Sequence, residues 1–182
     1  MQASATIQKT TWLIDPDHSK MEFSILHMLV SHVTGHFKTL QGKIISEGDD
    51  FANAKAEITL DPASIDTNNP SRDTHLTSQE FLDAKQFPEI TFSSTSVNKI
   101  KDNIYKVEGD LTLHGIKKPI ILQVVYNGKI KDPAGNTRAG IKISGKINRK
   151  DFGINWSAHL DEGGLVAGDT IDLYGNMELL TK

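Results

Sequence analysis

The 182-residue chain contains no cysteine, which excludes disulfides, thiolate nucleophiles and cysteine-ligated zinc. It also lacks any run of 18 apolar residues, so the sequence predicts no membrane-spanning helix. Lys and Arg together number 20 against 23 Asp and Glu, without a basic stripe or an acidic tail. Nucleic-acid binding therefore has no electrostatic basis, and we expect no nucleic-acid partner.

The beginning of the sequence has neither the basic n-region nor the apolar h-region of a signal peptide. We expect residues 1–10 to form a flexible segment and residues 11–182 to form a single β-barrel domain, because this length suits one hydrophobic core. Two locations stay open: the cytoplasm, or the periplasm or exterior after removal of a signal peptide.

Apolar residues fall at every second position in many segments, which indicates strands with one buried face. The alternating sets begin at Met21, Ala54, Ile90, Tyr105, Ile120, Ala139 and Ile171, and the first set runs on to Leu29. A further strand is expected from Phe37 to Ile45. These segments are long enough and numerous enough to predict about eight strands.

Short links join these segments, with expected loops at Gly48–Asp50, Lys101–Asn103 and Asp132–Asn136. Such links favour antiparallel up-and-down order. Strands in this number usually close on themselves, which removes exposed edges. The sequence thus predicts an all-β fold, an eight-stranded antiparallel up-and-down barrel with a short helix in one long loop.

That long loop is the segment from Pro62 to Pro88, which has no alternation. It contains a capping box, with Thr77 as the N-cap and Glu80 at the third helical position. The box predicts a short helix from Ser78 to Ala84.

Long loops on rigid barrels often cover or line an opening, so we expect this loop to form the mouth of the barrel. Leu76 and Phe81, the hydrophobic staple of the predicted helix, belong to it. Arg72 supplies a fixed cation with a planar donor fork, and His75 a donor whose charge changes near neutral pH. Either would meet the polar head of a ligand. Pairing of Arg72 with Asp73 or another acid, which would only pin the loop, stays open.

Three strands carry a glycine in phase with their apolar face, at Gly109, Gly145 and Gly175. Mid-strand glycine weakens a strand, so it needs a reason. Two reasons stay open, space for a ligand inside the barrel and a bend or bulge that curves the sheet. The inward positions expected to contact a ligand are Met21, Phe23, Ile25, His27, Ile58, Phe92, Val107, Gly109, Leu111, Leu122, Val124, Ile143, Gly145, Leu173 and Gly175.

Catalytic signatures are scarce. His27, His32 and His36 cluster in sequence, but the odd spacing of His27 and His32 places them on opposite faces of an extended strand. No nucleophile elbow, P-loop or dinucleotide fingerprint is present. We therefore expect no enzyme, no metal and no cofactor. A His-dependent metal-binding hydrolase is the enzymatic alternative.

A set of sequence pieces, in order, resembles the YceI-like family from about Trp12 to Leu179. Near the start these are Trp12-Leu13-Ile14-Asp15 and His18-Ser19. In the middle they are Ser71-Arg72-Asp73 and Phe87-Pro88-Glu89-Ile90-Thr91-Phe92-Ser93-Ser94. Later they are Gly109-Asp110-Leu111-Thr112-Leu113-His114-Gly115 and Arg149-Lys150-Asp151-Phe152-Gly153.

The resemblance implies a lipocalin-like barrel around a long apolar tunnel that binds a polyisoprenoid, an isoprenoid quinone or a fatty-acid-like chain. It implies storage or transport without catalysis, and often a periplasmic protein linked to stress response. The expected partner is an amphiphilic small molecule, and a homodimer stays open. Besides the hydrolase, a barrel filled by side chains and acting as an interaction module is the alternative.

Overall fold

The computed structural model describes residues 9–47, 50–159 and 166–181. Residues 1–8, most of the expected flexible segment, lie outside the described residues, and so do residues 48–49 of the expected Gly48–Asp50 loop. Strand structure begins at Lys9. None of the helices in the described part of the chain is long and apolar enough to cross a membrane.

Strands dominate the architecture. They are β1 (Lys9–Ile14), β2 (Lys20–His27), β3 (Ser31–Phe37), β4 (Leu40–Glu47), β5 (Asp50–Leu60), β6 (Ile65–Asp66), β7 (Ile90–Lys101), β8 (Ile104–Leu113), β9 (Ile116–Lys131), β10 (Thr137–Asn148) and β11 (Ala167–Thr181). The described residues also form one α-helix, α1 (Pro70–Leu76), and 3-10 helices at Pro16–His18, Pro62–Ser64 and Arg149–Phe152.

Three of the barrel's strands are interrupted, which reconciles these eleven elements with an eight-stranded barrel. The 3-10 turn at Pro16–His18 separates β1 from β2, and a break at residues 38–39 separates β3 from β4. Because β1 pairs with β4 and β2 pairs with β3, β1 and β2 together act as one bent strand, and β3 and β4 act as its neighbour. The turn at Pro62–Ser64 likewise separates β5 from β6, which pairs with β3.

Every neighbouring pair is antiparallel, and the last strand closes on the first. β11 pairs with β2 through Leu173↔Phe23 and with β1 through Leu13↔Leu180. The predicted fold, an eight-stranded antiparallel up-and-down barrel, is therefore confirmed.

The predicted inward phase matches the buried face of most strands, with two deviations. Leu29 is 63% exposed because β2 ends at His27 and the chain turns at Met28–Val30. In β7, a bulge between Ser94 and Ser96 shifts the register, so that Val97 becomes the next buried residue.

The predicted helix from Ser78 to Ala84 is wrong; the helix runs from Pro70 to Leu76 instead. Asn69 caps it by accepting a hydrogen bond from the Arg72 backbone N–H (3.1 Å), and Pro70 supplies the preset φ of a first helical residue. Thr77 is its C-cap, and the segment from Ser78 to Ala84 forms successive turns. The side chains of the expected capping box bond elsewhere: the Thr77 hydroxyl donates to the Thr74 carbonyl (3.0 Å), and Glu80 Oε2 faces His75 Nε2 (2.6 Å).

Candidate functional site

A cavity of about 260 Å³ opens at one end of the barrel. Its walls come from the strand ends at that side, and its rim comes from α1, the turns after it and the segments that flank β10 and β11. The lining is mainly apolar and consists of Met21, Glu22, Phe23, Ile25, His27, Val33, Phe37, Leu60, Ile65, Arg72, His75, Leu76, Phe81, Leu82, Ile90, Leu111, Leu113, Ile147, Arg149, Ile154, Trp156, Val166, Ala167, Ile171 and Leu173.

Part of the expected ligand-contacting set lies in this cavity. The strand residues among them are Met21, Phe23, Ile25, His27, Leu111 and Leu173. All four residues expected at the mouth, Arg72, His75, Leu76 and Phe81, line it as well. The long loop therefore stands at the opening, where the sequence places it.

Three aromatic rings meet at the rim. The His75 ring lies edge-on to Phe81 (centroids 4.9 Å apart) and to Trp156 (5.4 Å), and the Phe81 and Trp156 rings are 5.0 Å apart. His75 Nε2 also faces Glu80 Oε2 at 2.6 Å. Sequence reasoning missed Trp156, because the segment that carries it has no alternation; an aromatic residue in a non-strand segment was the only signal.

Arg72 has a structural partner and also faces the cavity. Its guanidinium donates from Nε to Thr67 Oγ1 and from Nη2 to the Thr67 carbonyl, both at 2.8 Å. Asp73 does not pair with Arg72 but accepts from the Thr67 backbone N–H (2.9 Å) and hydroxyl (2.6 Å). Among the described residues Arg72 forms no direct ion pair with a carboxylate, and Asp73 is linked to it only through the shared Thr67 hydroxyl.

A second cation, Arg149, is only 1% exposed and organises the rim from behind. It donates to the carbonyls of Ile154 (2.8 Å), Trp156 (2.7 Å) and Gly168 (2.8 Å) and to Asp169 Oδ1 (3.1 Å). These bonds fix the segment that carries Trp156 against the start of β11. From the sequence, Arg149 is identified only as part of a family motif, without a role.

A smaller cavity of about 50 Å³ lies further along the barrel interior. The expected residues that line it are Ile58, Phe92, Val107, Leu122, Val124 and Ile143. Aromatic packing occupies this end, where the Phe51 ring lies 5.6 Å from that of Trp12 and 5.2 Å from that of Tyr126.

Gly109, Gly145 and Gly175 line neither cavity. The space where a Cβ would stand is already taken: by the Phe92 ring at Gly109, by Leu122 Cδ2 (2.5 Å) at Gly145, and by Ile143 Cβ (3.1 Å) at Gly175. At these positions glycine lets neighbouring side chains pack onto the strand, so the glycines do not leave space for a ligand. A bulge lies opposite Gly109, between Ser94 and Ser96 of β7.

The histidines of the hydrolase alternative do not converge. His32 lies opposite Leu26 and His36 opposite Glu22 along the β2–β3 hairpin, and His27 lines the cavity. Within the described residues, the group close enough to ligate a metal is Asp15, His18 and Glu178 instead. Arg138 already binds both of its carboxylates.

A closed barrel of eight strands with an apolar cavity open at one end is the architecture of a small-molecule-binding barrel. A sequence model of the YceI-like domain matches residues 12–179, and the chain belongs to this family.

Known proteins agree with this assignment. The chain is 38% identical to a UPF0312 protein of Pseudomonas fluorescens, over 97% of the chain and 89% of that relative. It is similar to the crystal structure of a Campylobacter jejuni YceI protein, at 31% identity and a TM-score of 0.74, over 86% of the chain and 90% of that structure. A polyisoprenoid-binding domain from Saccharophagus degradans shares the fold, with a TM-score of 0.71 at 16% identity, over 95% of the chain and 99% of that domain.

Proposed function

We propose that the chain binds one long apolar or amphiphilic molecule, such as a polyisoprenoid, an isoprenoid quinone or a fatty-acid-like chain, and stores or carries it without chemical change. The observation that carries the proposal is the 260 Å³ apolar cavity with a single rim of polar groups. Its volume lies just below the roughly 300–1,000 Å³ typical of ligand pockets.

The physical driving force is burial of hydrocarbon. Each methylene group removed from water contributes about 0.8 kcal/mol, and the aliphatic and phenyl groups of the lining provide this without a charged partner. A cavity of this size is not a barrel filled by side chains, so the interaction-module alternative has less support. The polyisoprenoid-binding domain of the same fold adds support from outside the chain.

The head of the ligand belongs at the rim. Arg72 offers positive charge there, and the His75, Phe81 and Trp156 rings offer flat faces and edges. A phosphate, carboxylate or quinone carbonyl would satisfy such donors, while the tail extends inward between β2, β8 and β11. A periplasmic or secreted location and a role in transport or stress response are part of the proposal through family membership.

Tryptophan emission tests the binding proposal, because the two tryptophans lie at different places. Trp156 lines the cavity, whereas Trp12 is buried at the aromatic end. In Trp12→Phe, addition of a long-chain isoprenoid alcohol should shift or quench the emission of Trp156. In Trp156→Phe, the emission of Trp12 should stay constant. No change in Trp12→Phe with an isoprenoid alcohol, a quinone or a fatty acid would contradict the proposal.

The role of Arg72 can be separated from loop pinning. Head-group contact predicts that Arg72→Ala weakens binding of a phosphorylated isoprenoid and hardly changes binding of the matching hydrocarbon. Thr67→Val is the matched control, because it removes the hydroxyl that Arg72 holds but keeps the cation. If both variants lose affinity for both ligands and melt at lower temperature, Arg72 only pins the loop.

A further inference from the structure

The two cavities meet inside the barrel at the height of two inward-facing glycines, Gly109 and Gly145. On β8 and on β10, the inward glycine stands between a residue of the larger cavity and a residue of the smaller one. In order from larger to smaller cavity, these are Leu111, Gly109 and Val107 on β8, and Ile147, Gly145 and Ile143 on β10. The same level is reached on β7 between Ile90, which lines the larger cavity, and Phe92, which lines the smaller.

Two side chains occupy the space that these glycines leave. The Phe92 ring lies over Gly109, inside the distance at which a Cβ there could be tolerated, and Leu122 Cδ2 lies 2.5 Å from the position of a Cβ on Gly145. Both side chains are buried, Phe92 at 8% and Leu122 at 6% exposure. Both line the smaller cavity and not the larger one, so they lie just beyond the inner end of the larger cavity.

We propose that Phe92 and Leu122 form a partition across the barrel that closes the floor of the larger cavity and sets the chain length that the barrel accepts. The inference rests on the proposed ligand-binding function and adds its length specificity. The tail of a bound chain ends at the level of Ile90 and Leu111, and the Phe92 ring stands beyond it. Gly109 and Gly145 leave the room into which the Phe92 and Leu122 side chains pack, which explains glycine in the middle of two strands.

Removing the ring would join the two cavities. A smaller residue at position 92 leaves its volume empty beside Gly109, where no side chain of that strand can fill it. The combined space then runs from the rim at Trp156 towards Phe51 at the aromatic end. Chains too long for the parent protein would extend into it.

The test measures affinity against length. Saturated straight-chain alcohols of increasing length, below their aggregation concentrations, compete with a fluorescent fatty-acid probe. For the parent, the dissociation constant should fall by about fourfold per added methylene group and then stop improving at a break length. In Phe92→Ala and in the more conservative Phe92→Leu, the break should move to longer chains.

Phe152→Leu is the matched control, because Phe152 is also a buried phenylalanine but lines neither cavity of the barrel interior. Its break length should equal that of the parent. Circular dichroism identifies any variant that fails to fold. If Phe92→Ala fails to fold, the break length of Phe92→Leu decides the test.

A break that stays at the parent length in the folded Phe92 variants would overturn the partition. So would a parent affinity that rises without a break through the whole series. Failure of the parent to bind an alcohol of any length would instead overturn the proposed function, and the length limit with it.

Discussion

The guanidinium of Arg138 donates from Nη1 to Asp15 Oδ2 at 2.7 Å, across a sequence separation of 123 residues. The same guanidinium binds Asp132 (2.8 Å from Nε) and Glu178 (2.5 Å from Nη1). It thereby ties the end of β1, the β9–β10 turn and the last strand into one cluster on the outside of the barrel.

Because of this cluster, we expect the free energy of unfolding to fall at acidic pH. The hydrogen bond from Arg138 is the main cause that lowers the pKa of Asp132 from 3.8 to about 2. Since the pKa in the folded state is depressed, the carboxylate stabilises the fold above about pH 4, and this contribution is lost as pH falls through about 2. Arg138→Gln should lower the free energy of unfolding at pH 7 and flatten its decline between these pH values in urea titrations.

Lys146→Gln is the control for Arg138 on the same strand. Its partner is Asp172 at 3.0 Å, but the lysine side chain is 74% exposed, so this pair adds little. An unchanged acid profile in Arg138→Gln would show that the cluster is not the source of the dependence.

Tyr105 should make the stability of the fold depend on pH in the alkaline range. Its hydroxyl donates to Asp50 Oδ1 (2.7 Å), and burial, followed by this bond, raises its pKa to about 12. The folded state keeps the proton longer than the unfolded chain, so stability falls as pH rises from about 10 to about 12. Tyr105→Phe should lose about 1 kcal/mol at pH 7 and show a shallower alkaline decline. Tyr174→Phe, at an exposed tyrosine, should behave like the parent.

Arg149 predicts a large loss of stability. Arg149→Met keeps the volume but leaves the carbonyls of Ile154, Trp156 and Gly168 without their donor. We expect a loss of about 3–5 kcal/mol in the free energy of unfolding. Lys150→Met is matched, because Lys150 pairs with the same Asp169 (2.8 Å) but is exposed; it should cost no more than about 1 kcal/mol. Equal losses would contradict the role given to Arg149.

A substitution in the turn between β2 and β3 should make the protein more stable. Met28 and Leu29 both have positive φ, 51° and 61°, which is costly for side chains without a local hydrogen bond. Leu29→Asn should therefore raise the free energy of unfolding by about 0.5–1 kcal/mol. Val30→Asn removes a still more exposed apolar side chain at a residue without positive φ, and should give no gain in thermal melts.

The strands and their inward faces could be predicted because alternation records burial on one face, residue by residue. The same signal led to the cavity walls at Phe23, Ile25 and Leu111. It failed at Leu29, where alternation continues past the end of the strand into an exposed turn.

Other parts of the site leave no periodic trace. Trp156 and Arg149 lie in a segment without regular alternation, and their roles depend on hydrogen bonds across the rim. The division of the barrel interior depends on which side chain leans over which glycine, such as Leu122 over Gly145. That relation follows from strand register and rotamers, which a single sequence does not display.

The pairing of Leu13 with Leu180 also fixes the order of events when the protein is made. Synthesis proceeds from β1 onward, and β1 and β2 gain their β11 neighbour only once that strand has been translated. Contacts between positions so distant in sequence slow folding, because a long loop must close before they form. Until then the nascent sheet has an open edge at β1 and β2, and this is the stage at which it is most prone to aggregate and most in need of chaperones.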